Sequence, residues 1–326
     1  MRRRDFIKVV ASSAVAWSLA ARAQQAMKPM RRIGYLAFRA PLAADDAFLE
    51  RLGSLGWIEG QNVFIDRRFA AGDIELLRKS AVELVHVNVD VILACASVAA
   101  KTAKDATSSI PIVFAATGDP VGQGFVANLA HPGGNITGTS FDPGPEITTK
   151  QLQLITEIVP NVSRVAVLWN PAAPFIRTYW RAAQDAATKL GVNLISEEVS
   201  DPKKFEAAFD DMDQRHVDAL FVLSDTFMTF HRQLLAELAL KHRLPGLYGH
   251  DQYTSAGGLI SYGPSLPELY RGAATYVDKI LRGEKPGDLP VQQPVRFDLI
   301  INLKAAKPLG LTIPPKVLTE ANEVIE

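Results

Sequence analysis

Short continuous apolar runs alternate along this chain with stretches in which apolar residues recur every three or four positions. The runs at 33–37, 63–69, 89–94 and 112–116 read as strands, and the stretches at 43–55, 74–86 and 96–106 read as helices between them. The run at 89–94 is β-rich and largely apolar, the pattern of a strand covered on both faces. Strand and helix in strict alternation predict a parallel, doubly wound sheet with right-handed crossovers. The turn residues His131-Pro132-Gly133-Gly134-Asn135 precede one more strand at 136–140, and the Pro/Gly-rich segment 141–146 then breaks the pattern.

A second series follows. Helices are predicted at 148–158, 175–190, 202–215 and 226–242, and strands at 165–169, 193–199, 219–223 and 246–248. Segment 257–263 reads as a second passage between the two halves. The helix at 268–281 is expected to pack back on the first half, and 291–301 is a third extended run. The expected fold class is α/β: two doubly wound parallel-sheet lobes joined by a three-crossing hinge. Lobe one is placed at 31–140 plus about 264–288, and lobe two at 141–262 plus about 291–326. Three crossings allow closure around a ligand while keeping the lobes in orientation.

The first 23 residues do not belong to this pattern. Arg2, Arg3 and Arg4 lead into an apolar stretch from 9 to 20, and Ala21-Arg22-Ala23 offers a small-residue cleavage site before Gln24. That is a secretory signal peptide, too short in its apolar part to span a bilayer. Arg3-Arg4-Asp5-Phe6-Ile7-Lys8 resembles a twin-arginine export signal, with an ordinary Sec signal as the alternative. Cleavage after Ala23 and a periplasmic destination are expected, with no lipid anchor. Removing residues 1–23 leaves 30 basic against 34 acidic side chains, about −4. That balance gives no basic footprint for nucleic acid. Hydrophobic residues at 48% and charged residues at 21% fit a soluble globular protein that is not membrane-embedded. The one cysteine, Cys95, lies in an apolar run and reads as a buried, inert thiol.

Ligands of open α/β sheets bind beyond the carboxyl ends of the strands. That rule selects the loops at Phe38-Arg39, Ser97, Asp119, Asn170, Ser224-Asp225 and Tyr248, with Ser140, Phe141 and Tyr262 at the crossings. Each has a plainer reading: Ser97, Ser224 and Asp225 as helix caps, Asp119 and Asn170 as turn residues, Tyr262 as core, Arg39 as solvated. Helix N-termini behind Ser97 and Ser224-Asp225 suit an anion, and Asp119 suits an ammonium. Phe38, Phe141, Tyr248 and Tyr262 offer an apolar wall. No nucleophile elbow, zinc-protease helix motif or phosphate-binding P-loop occurs, and the six histidines lack metal-motif spacing. No catalytic residue, metal or cofactor is therefore expected.

Seven segments together resemble one family: RIGYLAF, LGSLGWIEGQNVFIDRRFAAGD, VDVILACAS, IPIVFAATGDPVGQGFVANLAHPGGNITG, AGGLISYGP, YVDKILRGEKPGDLPVQQP and INLKAAKPLGLTIPP. They are similar to the ABC-transporter substrate-binding family that includes the tryptophan-binding TrpX-type proteins. GDPVGQG with HPGGNITG is the most specific part, and the resemblance spans essentially the whole chain after the signal. It implies a type I periplasmic-binding-protein fold and the permease of an ABC importer as partner. The expected function is a monomeric, non-enzymatic solute-binding protein that traps a small carboxylate-bearing ligand, an amino acid or an aromatic or branched acid. An exported ligand-sensing module for a membrane receptor, an exported hydrolase and a regulator core sharing the fold are the alternatives, since one fold carries many functions.

Overall fold

The structure is a computed structural model that describes residues 30–173 and 175–326. The signal-peptide reading of residues 1–23 lies outside the described residues. The first series consists of β1 (Arg31–Ala37), α1 (Ala43–Ser54), β2 (Val63–Phe69), α2 (Ile74–His86), β3 (Val91–Cys95), α3 (Ala96–Ala106), β4 (Ile112–Thr117) and β5 (Ile136–Ser140). Its strands form a parallel sheet in the order β2-β1-β3-β4-β5. β3 is buried at every position, as its unbroken Val-Ile-Leu-Ala-Cys run requires of a strand with helices on both faces.

The second series begins with α4 (Ile147–Ile158), β6 (Arg164–Trp169), α5 (Ile176–Leu190), β7 (Asn193–Glu198), α6 (Phe205–Gln214) and β8 (Ala219–Val222). It continues with α7 (Thr226–Phe230), α8 (Arg232–Lys241), β9 (Gly246–Tyr248), α9 (Asp251–Ser255) and β10 (Ile260–Pro264). The chain then runs through α10 (Leu266–Leu281), β11 (Phe297–Asn302), α11 (Leu303–Ala306), α12 (Pro315–Glu320) and β12 (Glu323–Ile325). The second sheet has the order β12-β11-β10-β9-β8-β6-β7, with β11 antiparallel to β10. Read from β7 to β10, it repeats the strand order of the first sheet.

Each sheet has cores on both faces. The first holds Tyr35, Phe48, Leu93 and Val113 on one side and Leu36, Leu84, Ile92 and Phe114 on the other. The second holds Val165, Val167, Trp169 and Phe221 opposite Leu168, Phe205, Phe209 and Val222. α10 follows β10 of the second sheet, yet its Leu269, Tyr270, Ala273 and Val277 join Phe48 and Leu52 of α1 in the first core. The chain passes between the sheets at 141–146, at 265 and at 290–296. The first and third passages lie side by side, because Gln292 donates its N–H to Gly138 O at 3.0 Å and accepts from Ser140 N at 2.7 Å.

Three elements differ from the sequence pattern. The stretch 226–242 is two helices, broken at His231, whose φ of −93° and ψ of 13° leave the helical region. β3 begins at Val91 because Asn88 takes a left-handed φ of 52°, turning the chain just before the strand. In the run 291–301, only Phe297 onward is ladder-paired, since residues 290–296 are spent on the third passage.

Candidate functional site

The carboxyl ends of the strands from both sheets face one cavity of about 740 Å³. Phe38 and Arg39 reach it from the end of β1, Cys95, Ala96 and Ser97 from β3, and Ala116 and Gly118 from β4. Asn170 reaches it from the end of β6, Ser224 and Asp225 from β8, and Gly249 and His250 from β9. This follows from topology: a parallel sheet directs all its strands one way, so the loops at one edge converge. Such a volume falls in the usual range for small-molecule sites.

Aromatic rings stand on both walls: Phe38 and Phe141 on one side, Phe175, Tyr179, Phe227 and Phe230 on the other. Phe38 and Phe230 meet across the mouth with ring centroids 6.1 Å apart. Phe230 also lies over Gly72, where a Cβ would stand 3.1 Å from its Cε2. The φ of +93° there favours glycine, and the ring leaves a Cβ little room. Phe141, on the first passage, meets His250 edge-on at 5.5 Å.

The polar groups divide into those already engaged and those left over. Arg39 is held by Asp45, donates to Tyr270 Oη at 2.8 Å, and is only 23% exposed in its side chain. Burial pushes the Asp45 carboxyl up, but the hydrogen bonds and charge of Arg39 outweigh it and hold it below the usual carboxylate range. Asn170 donates to Asp225 at 2.7 Å, and Asp225 caps α7 by accepting from Met228 N at 2.7 Å. Burial raises the Asp225 carboxyl despite those bonds. Ser97 accepts from Gln123 Nε2 at 3.1 Å, and Gln123 also donates to the Gly118 carbonyl. Ser97 does not cap α3; the cap position is Cys95, and no side chain caps that helix. His250 Nε2 sits 3.0 Å from Thr229 Oγ1, and burial, with the charge of Arg232 adding to it, pushes the imidazole down to about 3.

Seven of the residues singled out in the sequence line this cavity: Phe38, Arg39, Ser97, Phe141, Asn170, Ser224 and Asp225. Four do not. The Asp119 carboxylate turns back to accept from Gly122 N at 2.8 Å, as an aspartate in a tight left-handed turn does. Ser140 is buried and donates to Thr117 O. Tyr248 is fully buried, stacked on Tyr253 at 4.7 Å, because strand alternation puts Leu247 in one core of the second sheet and Tyr248 in the other. Tyr262 stacks on Phe297 of the neighbouring strand at 6.0 Å. Pattern reading passed over Gln123, Tyr179, Phe227, Phe230 and Arg232, which line the cavity from within helices and loops. Among the described residues no three His, Cys, Asp or Glu side chains gather as a metal site, and no helix is long and apolar enough to cross a membrane.

Comparison with known proteins gives a consistent picture. A tyrosine-binding protein from Clostridioides difficile (strain R20291) is 26% identical over 268 residues, covering 82% of this chain and 76% of that protein. The structure superposes with a TM-score of 0.80 on an ABC domain in complex with L-Trp from Streptococcus pneumonia, at 28% identity over 90% of this chain and 99% of the other. It matches the ligand-free, open structure of a substrate binding protein with adhesive properties from Clostridium difficile at a TM-score of 0.71 and 25% identity, over 91% and 99% of the two chains. The family model described as ABC transporter substrate binding protein matches residues 38–325. With its fold, its cleft and that match over nearly the whole chain, the protein belongs to the ABC transporter substrate binding protein family.

Proposed function

We propose that this chain is an exported solute-binding protein that closes two lobes around a small amino acid with an aromatic or branched side chain and presents it to an ABC importer. One observation carries the reading: a single cavity, walled by aromatic rings and dotted with polar groups, is built from the strand ends of both sheets. The relatives support the ligand class, since one is a tyrosine-binding protein and another was crystallised with L-Trp. The better fit to the tryptophan-bound relative than to the open, ligand-free one supports a closed arrangement here. The three passages at 141–146, 265 and 290–296 serve as the hinge. Asp225 is suited to an ammonium, because a charge-assisted bond in a desolvated cleft is stronger than a neutral one. The basic and apolar start of the chain supports export to the periplasm with cleavage after Ala23.

Isothermal calorimetry with L-tyrosine and L-tryptophan, paired with small-angle scattering, tests the proposal. Binding at micromolar concentration, about −8 kcal/mol, with a smaller radius of gyration at saturation, is the expected outcome. Binding confined to neutral sugars rejects the ligand class, and an unchanged scattering profile at saturation rejects closure.

A further inference from the structure

Four charged side chains line the cavity among the described residues: Arg39, Asp142, Asp225 and Arg232. Three have strong partners. Arg39 is neutralised by Asp45. Asp142 accepts from Tyr179 Oη and from Gly144 N at 3.0 Å. Asp225 accepts from Asn170 and Met228 N. Among the described residues Arg232 has one hydrogen-bond partner, the Thr229 carbonyl, to which its Nη1 donates at 3.1 Å. Among the described residues no carboxylate lies within 4.0 Å of it, whereas Arg39, the other arginine lining the cavity, is paired with Asp45.

Its place in the fold does not explain it. Arg232 is the first residue of α8, where the helix dipole disfavours a cation, and no acid stands in that first turn to offset the charge. A half-buried guanidinium facing an apolar cavity loses hydration when the cleft shuts, and a fork of N–H donors then lacks acceptors. An anionic ligand group removes both costs. Arg232 also sits two residues beyond Phe230, so closure of the mouth and capture of an anion involve the same turn between α7 and α8.

We infer that Arg232 is the anion clasp of the cleft, its free guanidinium N–H groups taking the carboxylate of the bound molecule. The inference rests on the small-acid reading of the cleft and adds the group that recognises the acid. The alternative receptor is the uncapped first turn of α3 beside Ser97.

The test compares matched acids and amides on the full-length mature protein: L-tyrosine with L-tyrosinamide, and L-tryptophan with L-tryptophanamide, by calorimetry. The expected wild-type result is a preference for the acid of about ten- to a hundredfold, the range of a charge-assisted hydrogen bond. Arg232→Gln should erase that preference while leaving the weaker amide affinity unchanged. Arg232→Lys, which keeps charge but not the fork, should restore part of it. A merely structural arginine would lower the melting temperature of both variants and leave the acid-to-amide ratio intact, and that result overturns the inference. A wild type that binds acid and amide equally overturns it too while the cleft reading stands. If neither acids nor amides bind the wild type at millimolar concentration, the amino-acid reading fails and the clasp falls with it.

Discussion

Phe230 stands at the mouth of the cleft, where the proposed closure brings the two lobes together. It is 55% exposed, so somewhat under half of its surface is covered. His231 of its own lobe covers it at 5.1 Å, and Phe38 and Gly72 cover it across the mouth. Full burial of a phenylalanine contributes about 1.5–3 kcal/mol, so the share lying across the mouth is worth ~0.5 kcal/mol. The tilted pair with Phe38 adds about 0.5–1.5 kcal/mol. The sum, about 1–2 kcal/mol, exists only while the lobes touch. Phe230→Ala should therefore weaken binding about tenfold. Because the contact forms after encounter, the change should fall on the dissociation rate. Stopped-flow displacement of whichever of L-tyrosine and L-tryptophan the wild type binds measures it directly. The melting temperature of the unliganded protein should stay within a degree or two, since neither lobe core contains Phe230. An unaltered dissociation rate, or a loss located entirely in association, refutes the idea that this ring secures the mouth.

Three other expectations follow from particular contacts. Asp119→Asn, which keeps an acceptor for Gly122 N and tolerates the left-handed φ of 37°, should leave ligand affinity within about threefold; a hundredfold loss would put that carboxylate back in the site. Glu197 is pushed up to about 7 by burial first and by Asp211 second, above its unfolded value of 4.5. Its contribution is thus fully present below about pH 4.5 and lost as pH rises through 7, so Glu197→Gln should stabilise the protein at pH 8, by an amount that solvent screening and the loss of the Arg215 pair reduce, and by almost nothing at pH 4. Thermal melts of both proteins across that range decide it, and an equal difference at the two ends would show that ionisation is not the cause. Gly138→Ala places a Cβ on the Phe114 carbonyl at a φ of +152°, and should cost more than about 3 kcal/mol in urea unfolding; a loss under 1 kcal/mol would mean that β4 and β5 separate easily.

Much of this fold is written in periodicity. The strand β6 and the helices α2 and α5 lie almost where apolar spacing puts them, because burial on a sheet admits few alternatives. The site is less legible. Strand ends predict which loops meet, and so Phe38, Ser97, Asn170 and Asp225 come into the cavity. They do not predict which way a side chain turns once it arrives. Asp119 folds onto its own turn, and strand alternation in β9 sends Tyr248 into the core. Phe230 and Arg232 escaped notice for another reason: the apolar spacing of 226–242 continues smoothly through His231, so the break that brings both to the mouth leaves no mark on the pattern.

The return of α10 to the first core also governs how the protein is made. The face of α1 carrying Phe48 and Leu52 stays without its partner until residues 266–281 have been synthesised, more than 200 residues after α1 itself. The second sheet waits longer still, for β11 and β12. On the ribosome, therefore, neither half is completed early as an independent unit, and apolar surface stays uncovered through most of translation. Long-range closure of this kind slows folding and exposes intermediates to aggregation. Truncation before residue 281 should give insoluble protein rather than an isolated lobe, because the core that holds Phe48 and Leu52 would lack its closing helix.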